Sequence, residues 1–597
     1  MADKMIALKG SVPINKHKLV GPANALDRVE VTIKLRRKSE EGLPTHDDFI
    51  KGKRAKGITR QILAEKFGAK REDADAVQHW AVRNGLSVAN LDLGLRQILL
   101  VGSVAAMSRA FEVKLSTYKH SRTGTNFRCP DADPHVPESL APIITGVFGL
   151  NNMPIVVRRP IRGPRPQAAA AAQKNPKQQF PGSFYPNEVA KLYNFPATQG
   201  AGQRVAILEF GGGFSQAVLD DYFTKNIGLH TPPTVNGISV LGTPIQVDPD
   251  VTGEVYLDIE VIGAMAPQAT MDVYFAPWTG QGYLTAVQQA IHNDDYAAVS
   301  ISYGIDEDAA GNAANPGWSM LYQNVDEAFR DAAAIGLPVF VSTGDQGSSS
   351  IRGEVQVGGQ PMEVTEFSKT AHGGYPATSP YATAVGGTMI YEENNAISKE
   401  VVWNELGPLE QGQFYIGGAT GGGVSDRYPV PSYQSKAGIN PKSANGSGAT
   451  GRGVPDVAGN AGSTTGYLVS QPPGTGYTIA PVGGTSAAAP MWAALMACIR
   501  QSLNTTYNGK IPVFFLNDFI YAVGKSGAFR DIIGGRTFTL SANGELTPGS
   551  FIPIGNNRST QVDGYSASAG YDLCTGWGSP NGAQLLQQLQ TWLKSNP

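Results

Sequence analysis

The chain has 597 residues, with 71 Gly, 40 Pro, 41% hydrophobic and 16% charged side chains, which excludes a single small module, a disordered chain and a collagen-like fibre. Three cysteines, Cys129, Cys498 and Cys574, are too few and too scattered for a disulfide framework or a four-cysteine metal site. The formal charge is only −2, yet residues 1–177 hold 30 Lys and Arg against 16 Asp and Glu, net +14, and the remainder holds 18 against 34, net −16.

A basic segment of this kind could bind nucleic acid, but an acidic partner in the same chain makes intramolecular pairing the expectation. The opening residues, MADKMIALKGSVPINKHK, lack the apolar centre of a signal peptide, and no run of about 18 apolar residues could span a bilayer. No membrane attachment and no nucleic acid partner are therefore expected.

In chain order, residues 29–37 (VEVTIKLRR) alternate like a half-buried strand. Residues 59–84 have helical spacing broken by a turn at 68–73, LRQILLVGS reads as a strand, and a helix follows from Ala105 to Phe111. These predict a compact α+β, ferredoxin-like domain over residues 1–155. Residues 156–183, with four Arg, repeated Pro and an Ala tract at 168–172, read as a linker exposed to proteolysis.

From Arg204 the pattern changes. RVAILEF is a buried strand ending in Gly211–Gly213, and further apolar strands are predicted at 238–241, 270–275, 298–302 and 337–342, with helical patterns at 282–292 and 319–335. Such alternation predicts a parallel sheet flanked by helices, in which functional groups gather at strand ends.

Four local features bear chemistry. Gly483-Gly484-Thr485-Ser486 opens an apolar helix, so a serine there stands beside free N–H groups and the positive end of the helix dipole, as an acyl-transfer nucleophile requires. The same residues also read as a plain helix cap. Glu254 and Asp258 stand four apart in GEVYLDIE, so both carboxylates project from one helix face, either to share a proton or as a solvated acidic face; Glu260 lies on another face. Asp345 follows a strand end in VSTGDQGS, where it is a turn residue or a polar group offered to a ligand. Asp531, Ile532, Gly570 and Asp572 could supply the oxygen ligands that suit Ca²⁺, or be ordinary loop residues.

Histidine, the usual base for a serine, is scarce: after Lys177 there are only His230, His292 and His372, and no acid adjoins His372. A carboxylate base becomes the better candidate. A phosphate loop at Gly211–Gly213 lacks both the GxGxxG spacing and a Walker lysine.

Taken jointly, Gly253-Glu254 with Leu257-Asp258, STGDQG at 342–347, GGGVS at 421–425, GRGVPDVA at 451–458 and GGTSA at 483–487 resemble the sedolisins, the serine-carboxyl peptidases, and among these the kumamolisin proenzymes. The likeness covers nearly the whole chain. It implies a subtilisin-like α/β catalytic domain over residues 184–597, a basic prodomain at 1–155 acting as intramolecular inhibitor or chaperone, and maturation by cleavage in the linker.

The resemblance further implies Ser486 as nucleophile, Glu254 as general base, Asp258 hydrogen-bonded to Glu254, and Asp345 in the oxyanion hole. One structural Ca²⁺ would be held by Asp531, Ile532, Ser568, Gly570 and Asp572, with no redox or organic cofactor. A kumamolisin-type extension of the acidic network matches Glu209, whose expected Trp partner is Tyr303 here. The implied activity is that of an acid-active, self-processing endopeptidase on protein or peptide substrates, monomeric and extracellular; a tripeptidyl-peptidase and a catalytically silent binding relative are the alternatives. Acid would protonate carboxylates of the net −16 part and loosen its hold on the net +14 part, which predicts faster processing at low pH and at raised salt.

Overall fold

The structure, a computed structural model, describes residues 4–12, 17–120, 124–154, 161–162, 176–307, 318–348, 351–355, 363–367, 370–405, 418–446, 448–472, 477–533, 535–540, 546–552 and 564–596. Most of the linker predicted at 156–183 lies outside these residues.

In the N-terminal domain, β1 (Arg28–Leu35), α1 (Arg60–Phe67), α2 (Arg71–Arg83), β2 (Ser87–Asp92), β3 (Gln97–Ser103), α3 (Val104–Ala110) and β4 (Ile144–Phe148) follow one another; β1, the two helices within 59–84, β3 and α3 are where the sequence predicts them, and β2 and β4 are not among the predicted elements. The strands lie in the order β2-β3-β1-β4, all antiparallel. Two helical crossovers on such a sheet make the ferredoxin-like arrangement. Alternation in β1 sends Val29, Val31 and Ile33 into a core shared with Val77, Trp80, Leu100 and Met107.

The larger domain is built on β5 (Arg204–Phe210), β6 (Val235–Ser239), α4 (Thr252–Met265), β7 (Thr270–Ala276), α5 (Gly280–His292), β8 (Ala298–Ile301), α6 (Ser319–Ala334), β9 (Val339–Ser342), β10 (Thr383–Glu393), β11 (Ala396–Val402) and β12 (Val457–Asn460). Its sheet runs β6-β7-β5-β8-β9-β10-β11, with β12 also on β10, and every pairing is parallel except β10 with β11. The winding direction reverses between β5 and β8, so their C-terminal ends border the crevice where a doubly wound sheet receives ligands. A hairpin of β13 (Tyr467–Gln471) and β14 (Thr478–Gly483) leads into α7 (Thr485–Thr506), whose first fifteen residues are all buried. The strand predicted at 238–241 lies earlier, at 235–239, and the chain bends at Val240–Leu241, where Leu241 takes a φ of 52°.

The two domains share packing. Phe49 and Phe148 of the N-terminal domain belong to the core of the larger one. Thr45 caps the short helix His46–Ile50 by accepting from the Asp48 N–H, and that helix sets Phe49 against Tyr381 and Phe515 at ring separations of 4.4 and 5.0 Å. Burying a phenylalanine contributes about 2–3 kcal/mol. The charge asymmetry is realised across this interface: Arg54 grips Asp518 through two 2.7 Å bonds, Arg37 meets Asp331 at 2.8 Å, Arg96 meets Glu327 at 2.7 Å and Arg60 meets Asp295 at 2.8 Å.

Candidate active site

The site forms where β5, β8, α4 and α7 converge. All fourteen residues of α4 are buried, as befits a helix apolar on every side apart from three acids. Thr252 fixes its start, its hydroxyl oxygen accepting from Asp248 N at 2.8 Å and Gly213 N at 3.3 Å. The rejected phosphate loop is thus occupied by the chain itself: a Cβ on Gly213 would lie 2.5 Å from the Gln246 backbone.

Glu254 and Asp258 are buried on one face of α4, 3% and 0% exposed. Burial pushes both carboxyls well above the ordinary range, and each has a like-charged neighbour that adds to the effect: Asp258 for Glu254, and Glu209 for Asp258. The expected hydrogen bond between them is not formed. Asp258 Oδ2 accepts instead from the Ser302 hydroxyl at 2.8 Å, and neither oxygen of Glu254 meets a hydrogen-bond partner among the described residues. A carboxyl pair needs a proton between its oxygens, and here one Asp258 oxygen is taken by Ser302.

Ser302, just past β8, also joins Asp258 to the nucleophile candidate: its hydroxyl lies 3.2 Å from the Ser486 carbonyl, and the Ser486 hydroxyl donates to its carbonyl at 3.5 Å. Glu254 is close enough that Ser486 favours its charged form, and such contacts commonly tighten only when substrate binds. Beyond Ser302, Tyr303 donates to Glu209 Oε2 at 2.6 Å. Glu209, at the end of β5, is fully buried; burial raises its carboxyl well above the ordinary range, and the charge of Glu254 adds to this. The tyrosine thus supplies Glu209 with a donor, and three carboxyls line up as one coupled group.

On the other side of Ser486, Gly484 begins α7 with a φ of 113°, a conformation that favours glycine. A Cβ there would stand 2.9 Å from Asp345 Oδ2. Asp345 Oδ1 accepts from both the N–H and the hydroxyl of Thr485, each at 2.8 Å. Thr485 therefore caps no helix turn; its polar groups are spent on Asp345.

His372 is buried, with its ring Nδ1 3.4 Å from the Gly373 carbonyl, and the Ser486 hydroxyl is bonded to a carbonyl, not an imidazole. In the GRGVPD stretch, Arg452 is fully buried and holds Asp456 through two bonds of 3.0 and 2.7 Å and the Ala382 carbonyl at 3.1 Å. That motif braces β10 and β12 rather than entering the site. Ser302 is the member that sequence reasoning missed; the available signal was a small hydroxyl at the end of an apolar strand beside the point where winding reverses.

Near the C-terminus the calcium candidates lie on two segments, 531–532 and 568–572, that meet. Gly570 N–H donates to Asp531 Oδ2 at 2.8 Å, and Ser568 N–H to Asp572 Oδ2 at 3.2 Å; Asp572 Oδ1 accepts from Cys574 and Thr575 N–H groups at 2.8 Å. Ile532 is buried beside them at 1% exposure. Asp531 and Asp572 both accept from the 568–570 backbone, and carboxyl and backbone oxygens are the donors that Ca²⁺ takes. In the present conformation the N–H groups of Gly570 and Ser568 face the carboxylates, where the family pattern would use carbonyls.

These features define a subtilisin-like peptidase fold carrying a second, packed N-terminal domain. Residues 15–153 match the family described as Pro-kumamolisin, activation domain, and residues 243–511 match the Subtilase family. The chain is 36% identical to kumamolisin from Bacillus sp. (strain MN-32) over 95% of its own length and 93% of that protein. It is 25% identical to tripeptidyl-peptidase sed5 of Aspergillus fumigatus over 92% of this chain and 91% of the relative. Among solved structures it resembles Pseudomonas sedolisin, titled a serine-carboxyl proteinase, with a TM-score of 0.52 and 25% identity, covering 68% of this chain and 98% of that one. The chain belongs to the kumamolisin branch of the sedolisin peptidases and carries their activation domain.

Proposed function

We propose that this protein is an acid-active serine-carboxyl endopeptidase made as a self-processing proenzyme. The observation that carries the reading is the convergence on one crevice of Ser486, the coupled carboxyls Glu254, Asp258 and Glu209, and Asp345 held by Thr485. Ser486 Oγ attacks the peptide carbonyl as Glu254 takes its proton; Glu254 then returns that proton to the leaving amine, and water repeats the sequence on the acyl-enzyme. The developing oxyanion receives the Ser486 N–H, at the start of α7, and the acid proton of Asp345, which exists only while that carboxyl is neutral.

A buried carboxyl cluster titrates as a unit. Loss of its first proton supplies the base at Glu254, and its neighbours remain neutral. The proposed acidic operation rests on the Asp345 donor, which is lost as that carboxyl ionises with rising pH.

Support for self-processing comes from the linker. Residues 161–162 run antiparallel along Val482–Gly483, with Ile161 opposite Gly483, three positions before Ser486. The linker thus passes beside the nucleophile. The electrostatic trigger expected from net charge is not supported at the buried contacts. Burial acts to raise Asp331 and Glu327, but the guanidinium of Arg37 beside Asp331 and that of Arg96 beside Glu327 outweigh it and hold both carboxyls below the ordinary range. Asp295 is likewise held low by Arg500 and Arg60 against the effect of its burial. Mild acid leaves these pairs charged.

Ca²⁺ at Asp531 and Asp572, with backbone oxygens of Ile532, Ser568 and Gly570, would tie the 531–532 segment to the 568–572 loop and act structurally. No described helix is long and apolar enough to cross a membrane, and an extracellular, monomeric enzyme is the reading adopted. Endopeptidase rather than tripeptidyl action follows the higher identity to kumamolisin, 36% against 25%.

The deciding experiment moves the purified chain from neutral pH to about pH 4, comparing parent with Ser486→Ala by gel and by cleavage of amino-blocked peptides. Loss of the N-terminal domain and cleavage of blocked peptides by the parent alone is the expected result. A stable, inactive parent overturns the proposal, and cleavage confined to peptides with free amino termini replaces it with tripeptidyl-peptidase action.

A further inference from the structure

We infer that Thr485 is the positioning residue that decides which oxygen of Asp345 carries the acid proton, an inference that rests on Asp345 being the oxyanion donor. Three hydrogen bonds fix the arrangement. The Gly344 N–H donates to Thr485 Oγ1 at 2.9 Å, so the threonine hydroxyl is an acceptor on that side and its single proton turns the other way. That proton goes to Asp345 Oδ1 at 2.8 Å. The Thr485 N–H donates to the same oxygen at 2.8 Å.

A carboxyl oxygen that receives two donors has its lone pairs engaged and cannot also hold the acid hydrogen. Whenever Asp345 is neutral, its hydrogen therefore sits on Oδ2. The surroundings of Oδ2 show where it faces: a Cβ on Gly484 would lie 2.9 Å from it, so Oδ2 abuts the turn that delivers Ser486. Thr485, Asp345 and Ser486 are 0%, 1% and 2% exposed, so water does not compete for these bonds. The residue before the nucleophile thus places the acid hydrogen on the oxygen that faces the turn carrying Ser486.

The hydroxyl has a second effect. A donor to a carboxylate favours its charged form, so Thr485 also sets the pH at which the Asp345 hydrogen is lost. Replacement by valine keeps the shape and the N–H but removes the hydroxyl. One lone pair of Oδ1 is released, the acid hydrogen is shared between the two oxygens, and the carboxyl becomes harder to ionise.

The test compares parent, Thr485→Val, Thr485→Ser and Asp345→Ala, each after acid processing, by kcat, KM, the pH profile of kcat and thermal melting. Thr485→Val is expected to lower kcat about tenfold with KM within about twofold, and to move the alkaline limb of kcat upward by about half a pH unit or more. Thr485→Ser restores both. A valine variant with the parental kcat and limb, or a serine variant that melts like the parent yet fails to restore the limb, overturns the inference. Asp345→Ala separates the two levels. Parental kcat in that variant removes the oxyanion reading and this inference with it, whereas a loss of about 100-fold beside an unaltered valine variant removes this inference alone. Should the valine variant melt early, Thr485→Ala carries the same comparison without a branched side chain.

Discussion

The Ser302 hydroxyl donates to Asp258 Oδ2 at 2.8 Å, so the carboxyl one turn on from Glu254, the proposed base, is held by the residue after β8 that also touches Ser486. This bond works against the burial and the Glu209 charge that raise Asp258. In Ser302→Ala the stabilising donor is gone, and Asp258 rises further. A hydrogen bond to a charged group contributes about 1.5–3 kcal/mol, equivalent to about one to two pH units. The acid limb of kcat is expected to move upward by that amount, and a profile of unchanged shape would show that Asp258 does not titrate with the working site.

Glu209 and Tyr303 give a complementary shift. The charge of Glu209 is one cause of the raised Asp258 carboxyl, so Glu209→Gln lowers Asp258 and moves the acid limb of kcat downward. Tyr303→Phe removes the hydroxyl that donates to Glu209 at 2.6 Å and favours its charged form. Glu209 then stays protonated to higher pH. Opposite displacements of the limb in Ser302→Ala and Glu209→Gln are the pattern that a coupled carboxyl group requires, and equal displacement would exclude it.

Docking of the N-terminal domain depends on the Arg37–Asp331 pair, whose side chains are 3% and 2% exposed. The sign is fixed by the direction of the shift: Asp331 is held below its ordinary 3.8, so its contribution is complete above that value and is lost only as pH falls well below it. In a Ser486→Ala background, protease resistance of the docked domain should persist at pH 4 and in about 1 M salt, because buried pairs are little screened. Asp331→Asn strands the Arg37 cation in the interface at a cost of about 3–5 kcal/mol, and the domain becomes protease-sensitive already at neutral pH. Release of the parent domain by salt alone would restore the long-range electrostatic trigger.

The extent to which the sequence foretold this differs by level. Helix and strand periods placed several elements of each domain, such as β1, β3, β5, β7, β8 and β9, because apolar spacing at 3.6 or 2 residues is a local signal, but β2, β4 and the strands from β10 onward were not read. The Glu254–Asp258 spacing marked one helix face for the same reason. Ser302 escaped notice, since a serine after AVSI is ordinary until the sheet order shows that this strand borders the point where winding reverses. The acid-release expectation finds no support at Asp331 and Glu327, because a count of charges treats every carboxylate as ordinary, whereas these two are each buried against a particular arginine. The Glu254–Asp258 hydrogen bond was implied by the family resemblance and allowed by the helix spacing, and Ser302, just past β8, supplied the competing donor.

Calcium is tested by stability. If Asp531 and Asp572 hold the ion, a chelator should lower the melting temperature of the parent by several degrees, equivalent to about 2–3 kcal/mol for an ion present at about 100 times its Kd. Asp572→Asn should melt low from the start and respond little to chelator. Parent and variant responding equally would place any bound calcium elsewhere.

Glu260 makes the strongest stability prediction. It sits on α4, away from the Glu254 face, with one carboxyl oxygen accepting from Ser470 N at 2.7 Å and the other without a partner among the described residues. Burial raises it to about 8, with the Ser470 donors opposing. A carboxyl raised in the folded state contributes stability that is complete below its unfolded value, near 4.5, and is progressively lost as pH rises to about 8. At pH 7 the loss is at most about 3 kcal/mol, from roughly 2.5 pH units at 1.36 kcal/mol each. Glu260→Gln retains an acceptor for Ser470 N and has no proton to lose. The variant should melt close to the parent at pH 4 and clearly above it at pH 7, measured in the Ser486→Ala background so that self-digestion does not intrude. A constant difference at both pH values would mean that Glu260 is ionised throughout and does not titrate at the α4–β13 contact.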